Sequence, residues 1–342
     1  GKFKPPTGLE RLISTPRAPF IEGSFVTALQ PNRDIGIQFF GSIRDGLFDY
    51  QVGVFNGARD GQNNTGDNND DKDVALRVFV QPFLKSDFDF LSGLGIGVSG
   101  STGHQGQYNN AAVTANVSTA TSGTNNTPAA GGTPTVLTST AAVSNGISTY
   151  STGRQTFFSY AAQDTSEGTV TRLSPQAYYY VGPFGLIAEY TQTMQNIRRA
   201  TFNKDLTHKA WALTASYLVT GEKNTYKSIK VKKANAFPTL DGIGAIELLG
   251  RVHGIDLDDH AFDSLSTNRT IRYADPSKQA TKAFGAGGAV KWYLNNNVVL
   301  FAAYEYTKFT GGAGTTATST LDPVVTNREA EKVLSGSFTV SF

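Results

Sequence analysis

Apolar and polar side chains alternate with a period of two in one segment after another, each about ten residues long. Ile35, Ile37 and Phe39 alternate with Asp34, Gly36 and Gln38, and Phe48, Tyr50, Val52 and Val54 with Asp49, Gln51 and Gly53. Val74, Leu76, Val78 and Val80 are set between Asp73, Arg77 and Gln81, and Leu94, Ile96 and Val98 between glycines and serines. The pattern returns at Leu173–Val181, Leu186–Tyr190, Trp211–Val219, Ile246–Val252, Phe284–Trp292, Val298–Tyr306 and Leu334–Phe342, making eleven runs after residue 33. An extended strand points successive side chains to opposite faces, so each run predicts a strand with one apolar and one polar face.

The connections separate the two architectures that alternate in this way, a soluble sandwich and a membrane barrel. Short links at 42–46, 182–185 and 294–297 contrast with long polar ones at 57–72, 103–167, 196–206, 256–280 and 310–328. The links at 83–90 and 221–241 belong to the short side but are longer than usual. Short turns at one end and long loops at the other describe an outer-membrane barrel. Phe39, Phe48, Tyr190, Trp211, Trp292, Tyr304 and Tyr306 lie near strand ends on the apolar face, where ring and polar tip suit the lipid interface. A sandwich core fits less well, because the other face is polar in nearly every strand and no helical layer exists to cover it. The expected fold is an all-β transmembrane antiparallel barrel in the bacterial outer membrane, closing on an alternating strand with a terminal Phe342.

Composition agrees and removes several function classes. Of 342 residues, 39% are hydrophobic and 17% charged, the remainder being rich in Gly, Thr, Ser and Asn, which is not a helical profile. Thirty Lys and Arg against 28 Asp and Glu leave a formal charge of +2, so nucleic acid is not an expected partner. Without cysteine there is neither a disulfide framework nor a thiolate metal site. His104, His208, His253 and His260 lack metal-ligand spacing, and only His253 falls on the polar face of an expected strand. No Gly-x-Ser-x-Gly elbow supports an esterase or lipase barrel, so no catalytic residue, metal or cofactor is expected. The chain opens at Gly1-Lys2-Phe3-Lys4 with no basic, apolar leader, as a mature exported protein or a fragment does.

A set of short motifs carries a family resemblance. Gly1-Lys2-Phe3-Lys4-Pro5-Pro6-Thr7-Gly8-Leu9-Glu10-Arg11-Leu12, Pro19-Phe20-Ile21-Glu22, Arg33-Asp34-Ile35-Gly36 and Gly53-Val54-Phe55-Asn56-Gly57 resemble the phosphate-selective porin O and P family. Asp70-Asp71-Lys72-Asp73-Val74-Ala75, Ser174-Pro175-Gln176-Ala177-Tyr178 and Thr220-Gly221-Glu222 extend the likeness over most of the chain except 104–153. The resemblance implies barrels of about sixteen strands, usually homotrimers, in which a loop after strand five folds inward to narrow the pore. On that frame residues 1–4 end strand five, 7–33 form the inward loop, and the eleven runs supply the strands after it. The expectation is thus a single barrel domain of which about eleven or twelve strands are present, with an unclosed sheet in which residues 1–4 and 330–342 do not pair.

Alternation places Lys2, Lys4, Arg77, Arg172, Arg251 and Lys291 on the polar, pore-lining face, against Asp34, Asp49, Asp73, Glu189, Glu247, Glu305 and Glu331. That near balance gives no anion-selective wall by addition, so selectivity has to come from arrangement. In the inward loop Arg11, Arg17 and Arg33 outnumber Glu10 and Glu22, and with Lys2 and Lys4 they form the best candidate anion filter. An arginine fork matches phosphate oxygens, but it equally pairs with wall acids such as Glu247 to pin the loop. The expected function is passive diffusion of small anions, phosphate or polyphosphate among them, with outer-membrane lipid and lipopolysaccharide around the barrel. The alternatives are a general, weakly selective porin and a surface-binding barrel acting through its long loop.

Three other features have plainer readings. Residues 104–153 carry no Asp, Glu, Lys or Arg and read as a low-complexity external loop. The run from Asp60 to Asp71 offers oxygen ligands without the spacing of a calcium loop and is read as solvated. Lys230, Lys232 and Lys233 lie in a link on the short-turn side, where they either gather anions or form an ordinary solvated turn.

Overall fold

The computed structural model describes residues 1–64, 70–105, 146–162, 164–199, 201–233, 242–265, 271–316 and 324–341. It contains strands β1 (Lys2–Phe3), β2 (Asp34–Ile43), β3 (Phe48–Phe55), β4 (Asp73–Val80), β5 (Leu94–Gln105), β6 (Ser148–Tyr150), β7 (Thr156–Ser159) and β8 (Thr165–Val181). These are followed by β9 (Phe184–Arg199), β10 (Phe202–Leu218), β11 (Ala245–Asp256), β12 (Ala280–Tyr293), β13 (Val298–Thr316), β14 (Val324–Asn327) and β15 (Glu331–Val340). All eleven alternating runs are strands of one 13-stranded antiparallel barrel sheet, in which consecutive strands pair except where β8 joins β5 and β15 joins β13. Among the described residues no ladder joins β1 to β15. Phe342, the expected terminal aromatic, lies outside the described residues.

The alternation does what the period requires. Val74 and Leu76 are exposed on β4 while Asp73, Ala75, Arg77 and Phe79 are buried, and β15 alternates along its whole length. Trp211, Trp292, Tyr304 and Tyr306 are exposed on the apolar face as expected. Among the described residues no helix is long and apolar enough to cross a membrane.

Two expectations need correction. The 196–206 stretch is not a long polar link but the continuation of β9 and β10, which run 16 and 17 residues and pair from Phe202 with Arg199 down to Tyr217 with Phe184. About 9–11 residues suffice to cross the hydrocarbon, so these strands extend past it at the long-loop end. Consequently His208 is an inward-facing strand residue, as His253 is, and both are fully buried.

The inward face is also not uniformly polar. Near the long-loop end Ile197, Leu206, Ala210, Ile255, Ala283 and Phe309 point inward and join one apolar core. Phe25, Val26 and Leu29 of a 3-10 turn fill it from one side, Ile147, Phe157 and Phe158 of the β6–β7 hairpin from another, and Leu257, Phe262 and Tyr273 from a third. Each large side chain removed from water there contributes about 1.5–3 kcal/mol, enough to hold loop segments inside the barrel without covalent links. That part of the mouth is packed rather than water-filled.

Candidate functional site

Residues 5–31 lie against the inward face of β8–β13, held by a series of buried polar clamps. Arg17 donates through Nη1 to Glu247 Oε1 and Oε2 of β11, 3.0 Å each, and through Nη2 to Asn224 Oδ1 at 2.7 Å. Tyr293 of β12 donates its hydroxyl to Glu247 Oε2 at 2.7 Å, which completes that carboxylate's shell. Burial alone would disfavour the Arg17 charge; Glu247 overrides it and holds Arg17 above the ordinary arginine range.

Glu189 of β9 is the second clamp. It accepts from the backbone N–H groups of Leu9 (3.0 Å) and Glu10 (2.8 Å) and from Gln30 Nε2 (2.6 Å), so one carboxylate satisfies the start of a 3-10 turn that has no side-chain cap of its own. Gly8 leaves room for this approach, since a Cβ there would push against Gln30 Oε1 and Glu189 Oε1. Arg251 of β11 forms the third clamp. It donates to Glu305 Oε1 of β13 at 2.5 Å and to the Glu22 carbonyl at 2.9 Å, with its guanidinium 4.1 Å from the centre of the Phe20 ring. Lys291 donates to the Ala18 carbonyl. His253 accepts from the Phe25 backbone N–H at Nδ1, 3.1 Å, and stacks on the Phe25 ring at 4.2 Å.

A matching clamp holds the 57–64 stretch. Arg172 of β8 donates to Asp60 Oδ1 at 2.5 Å and Asp73 Oδ2 at 3.0 Å, with all three residues buried. Asp60, which opens the acidic run, is therefore an interior ion-pair partner; residues 65–69 of that run lie outside the described residues. Among the described residues no cluster of three or more His, Cys, Asp or Glu is arranged to hold a metal ion.

The nine cations singled out in the sequence thus divide. Arg17, Arg172 and Arg251 are neutralised by contact, Lys291 is spent on a carbonyl, and Arg77 donates to Gln176 Oε1 at 3.0 Å while lying 4.6 Å from the Phe79 ring centre. Lys2 departs from its expected face. It pairs with Ile35, and opposed residues of antiparallel strands share a face, so Lys2 points outward and Phe3 shares the side of Asp34. A two-residue strand offers too little alternation to set its parity.

Lys4, Arg11 and Arg33 behave differently. They border a cavity of about 430 Å³ on the free side of the inner segment. Lys4 Nζ donates to the Ile13 carbonyl at 3.1 Å, and Arg11 to the carbonyls of Thr27 and Gln30, so both spend donors on backbone and keep their charge uncompensated by contact. Arg33 is exposed. Burial, then the neighbouring charges of Arg33 and Arg11, hold Lys4 below the usual lysine range. Burial holds Arg11 below its usual range, in spite of the pull of Glu10 and Glu189. A second cavity of about 970 Å³ opens toward the short-turn end, between Asp49, Gln51, Arg77 and Tyr178 on the wall and Lys223, Lys227 and Lys230. Most of the 104–153 loop lies outside the described residues, but its end at 146–153 enters the barrel.

The family model for phosphate-selective porin O and P matches residues 1–325. Porin O of Pseudomonas aeruginosa is 30% identical over 128 residues, 37% of this chain and 27% of that protein, so the match spans about a quarter of the relative's length. Among solved structures, outer-membrane expressed OmpT of Vibrio cholerae aligns with 99% of this chain and 75% of its own, at 11% identity and a TM-score of 0.48. The in-vitro folded OmpT of the same organism aligns with 99% and 72%, at 10% identity and a TM-score of 0.45.

Proposed function

Because the chain belongs to the phosphate-selective porin O and P family and is a bacterial outer-membrane protein, we propose that it forms a passive diffusion channel for small anions, phosphate and polyphosphate among them. The observation that carries this reading is the sorting of charge between the two sides of the inner segment. Its wall side is closed by ion pairs such as Arg17–Glu247 and Arg251–Glu305, while its free side presents Lys4, Arg11 and Arg33, against Glu10 and Glu22, to a cavity.

On this reading residues 7–33 are the constriction loop. A solute there exchanges water for fixed cations in a partly dehydrated space. Two unit charges about 4 Å apart interact by roughly 4 kcal/mol at an intermediate dielectric and about 1 in bulk water, so the clustered Lys4, Arg11 and Arg33 act strongly on a solute in a cavity that Glu10 and Glu22 also border. Lys4 and Arg11 are held by backbone carbonyls, which fixes their position without removing charge. The solute passes down its gradient and nothing is turned over. Homotrimeric assembly and a lipopolysaccharide-rich lipid surround belong to the same proposal.

Reversal potentials of the purified channel in a KCl gradient test it. The expected sign is that of an anion-preferring pore, with chloride current falling as phosphate is added; a cation-leaning potential overturns the reading. A general, weakly selective porin is the second reading, favoured by the overall charge of +2, and its signature is a potential near zero.

A further inference from the structure

Resting on the anion-channel reading, we propose that Arg154 is a specificity-determining residue of the passage, brought to it by a second inward element, the β6–β7 hairpin. Arg154 borders the same cavity as Lys4, Arg11 and Arg33. It comes from a stretch outside both the barrel wall and the 7–33 loop.

The hairpin is held at both ends. Its stem is sunk in the apolar core: Phe157 and Phe158 are fully buried, Phe157 meets Phe25 edge-on at 5.5 Å, and the Ser159 N–H donates to Gln279 Oε1 at 3.1 Å. Its tip is clasped by Glu331 at the start of β15. Glu331 Oε1 accepts from Ser151 Oγ at 3.0 Å and Oε2 from the Gly153 N–H at 3.1 Å. A Cβ at residue 153 would meet the Glu331 carboxylate, so glycine lets that carboxylate sit close against the tip. Turn bonds from Arg154 N to the Ser151 carbonyl (3.0 Å) and from Gln155 N to Ser151 Oγ (3.1 Å) close the tip.

Arg154 itself has φ +63°, a left-handed conformation uncommon for a residue with a Cβ. That conformation turns the side chain to Glu22, with Nε 3.0 Å from Glu22 Oε2. The pair is open to water, Arg154 being 71% exposed on its side chain and Glu22 31%. Exposed pairs of this kind are weak, whereas Arg17–Glu247 and Arg172–Asp60 are sealed. An oxyanion entering the cavity can therefore take the place of the Glu22 carboxylate on the Arg154 fork, in a geometry arginine offers to phosphate oxygens. Glu22 acts as the resident competitor, and Glu331 as the positioning residue that keeps Arg154 at the passage.

The chain has no cysteine, which makes the test direct. The full-length Arg154→Cys channel in planar bilayers is expected to lose anion preference, its anion-to-cation permeability ratio falling about threefold to tenfold. A cationic thiosulfonate reagent should restore the ratio and an anionic one lower it further, on the same folded molecules. Glu331→Ala, which keeps the arginine but frees the tip, should weaken phosphate block of chloride current with a smaller change in ratio. Modification of the introduced thiol by either reagent with no change in ratio overturns the proposal. If Arg33→Glu shifts the ratio and the thiol-modification series does not, only this proposal falls; if the unmodified channel is cation-leaning, the anion reading falls with it.

Discussion

Arg17 places one nitrogen 3.0 Å from both carboxylate oxygens of Glu247, across 230 residues of sequence, with the arginine side chain 7% exposed and the glutamate sealed. Removing one partner of such a pair leaves a buried charge uncompensated, at about 3–5 kcal/mol. Arg17→Ala should therefore lower the unfolding midpoint strongly, while Arg17→Ala with Glu247→Gln recovers much of the loss. Denaturant unfolding of the detergent-solubilised barrel measures this. Equal losses in the single and double variants would show that the charge left behind is not the cause.

Arg33 should behave in the opposite way. It is exposed and, among the described residues, makes no ion pair, so Arg33→Glu should change stability by less than about 0.5 kcal/mol. Its reversal potential should nevertheless move toward the cation side. A variant that unfolds readily and keeps its selectivity would exchange the roles assigned to Arg17 and Arg33.

These contrasts show what was legible in the sequence. Period-two alternation located all eleven long strands, because a strand whose two faces meet different surroundings must sort its side chains. The notion that a loop arginine pins the inner segment to Glu247 also followed from residue types. Alternation could not show which cations are spent, since Arg172 meets Asp60 across 112 residues. Nor could it show that the inward face carries Ile197, Leu206 and Phe309 against a plug, because alternation marks which side chains point inward and not whether water or packed loops meet them. Arg154 lies at the edge of a low-complexity stretch, where strand alternation assigns no face. The signal there was Phe157-Phe158, a bulky apolar pair in an otherwise polar link.

His253 offers a test of the plug. A backbone N–H can only donate, so the bond from Phe25 N requires Nδ1 to be unprotonated and Nε2 to carry the hydrogen. His253→Leu leaves a buried N–H without an acceptor, a loss of about 1–3 kcal/mol, whereas His253→Asn keeps an acceptor oxygen near the Nδ1 position and should lose less. Amide exchange at Phe25 distinguishes them: faster exchange in the leucine variant than in the asparagine variant is expected, and equal rates would detach His253 from the segment's hold.

Asp164 predicts a pH dependence at the base of the β6–β7 hairpin. Its Oδ2 accepts from the Ala161 N–H at 3.1 Å and its Oδ1 from Arg199 at 3.0 Å. Burial raises its carboxyl to about 6, and the Arg199 pairing reduces that shift without cancelling it. A carboxyl raised above its unfolded value of 3.8 contributes stability that is fully present below that value and lost as pH rises through about 6. Between pH 4 and 8 the wild type should therefore lose stability relative to Asp164→Asn, with an inflection near pH 6. The difference in unfolding temperature should amount to about 2–4 °C per kcal/mol lost. Taking the difference between the two proteins removes every other titrating group common to both. A difference that grows in favour of the wild type as pH rises would mean that the Arg199 pairing dominates burial, and that the hairpin base is held by charge.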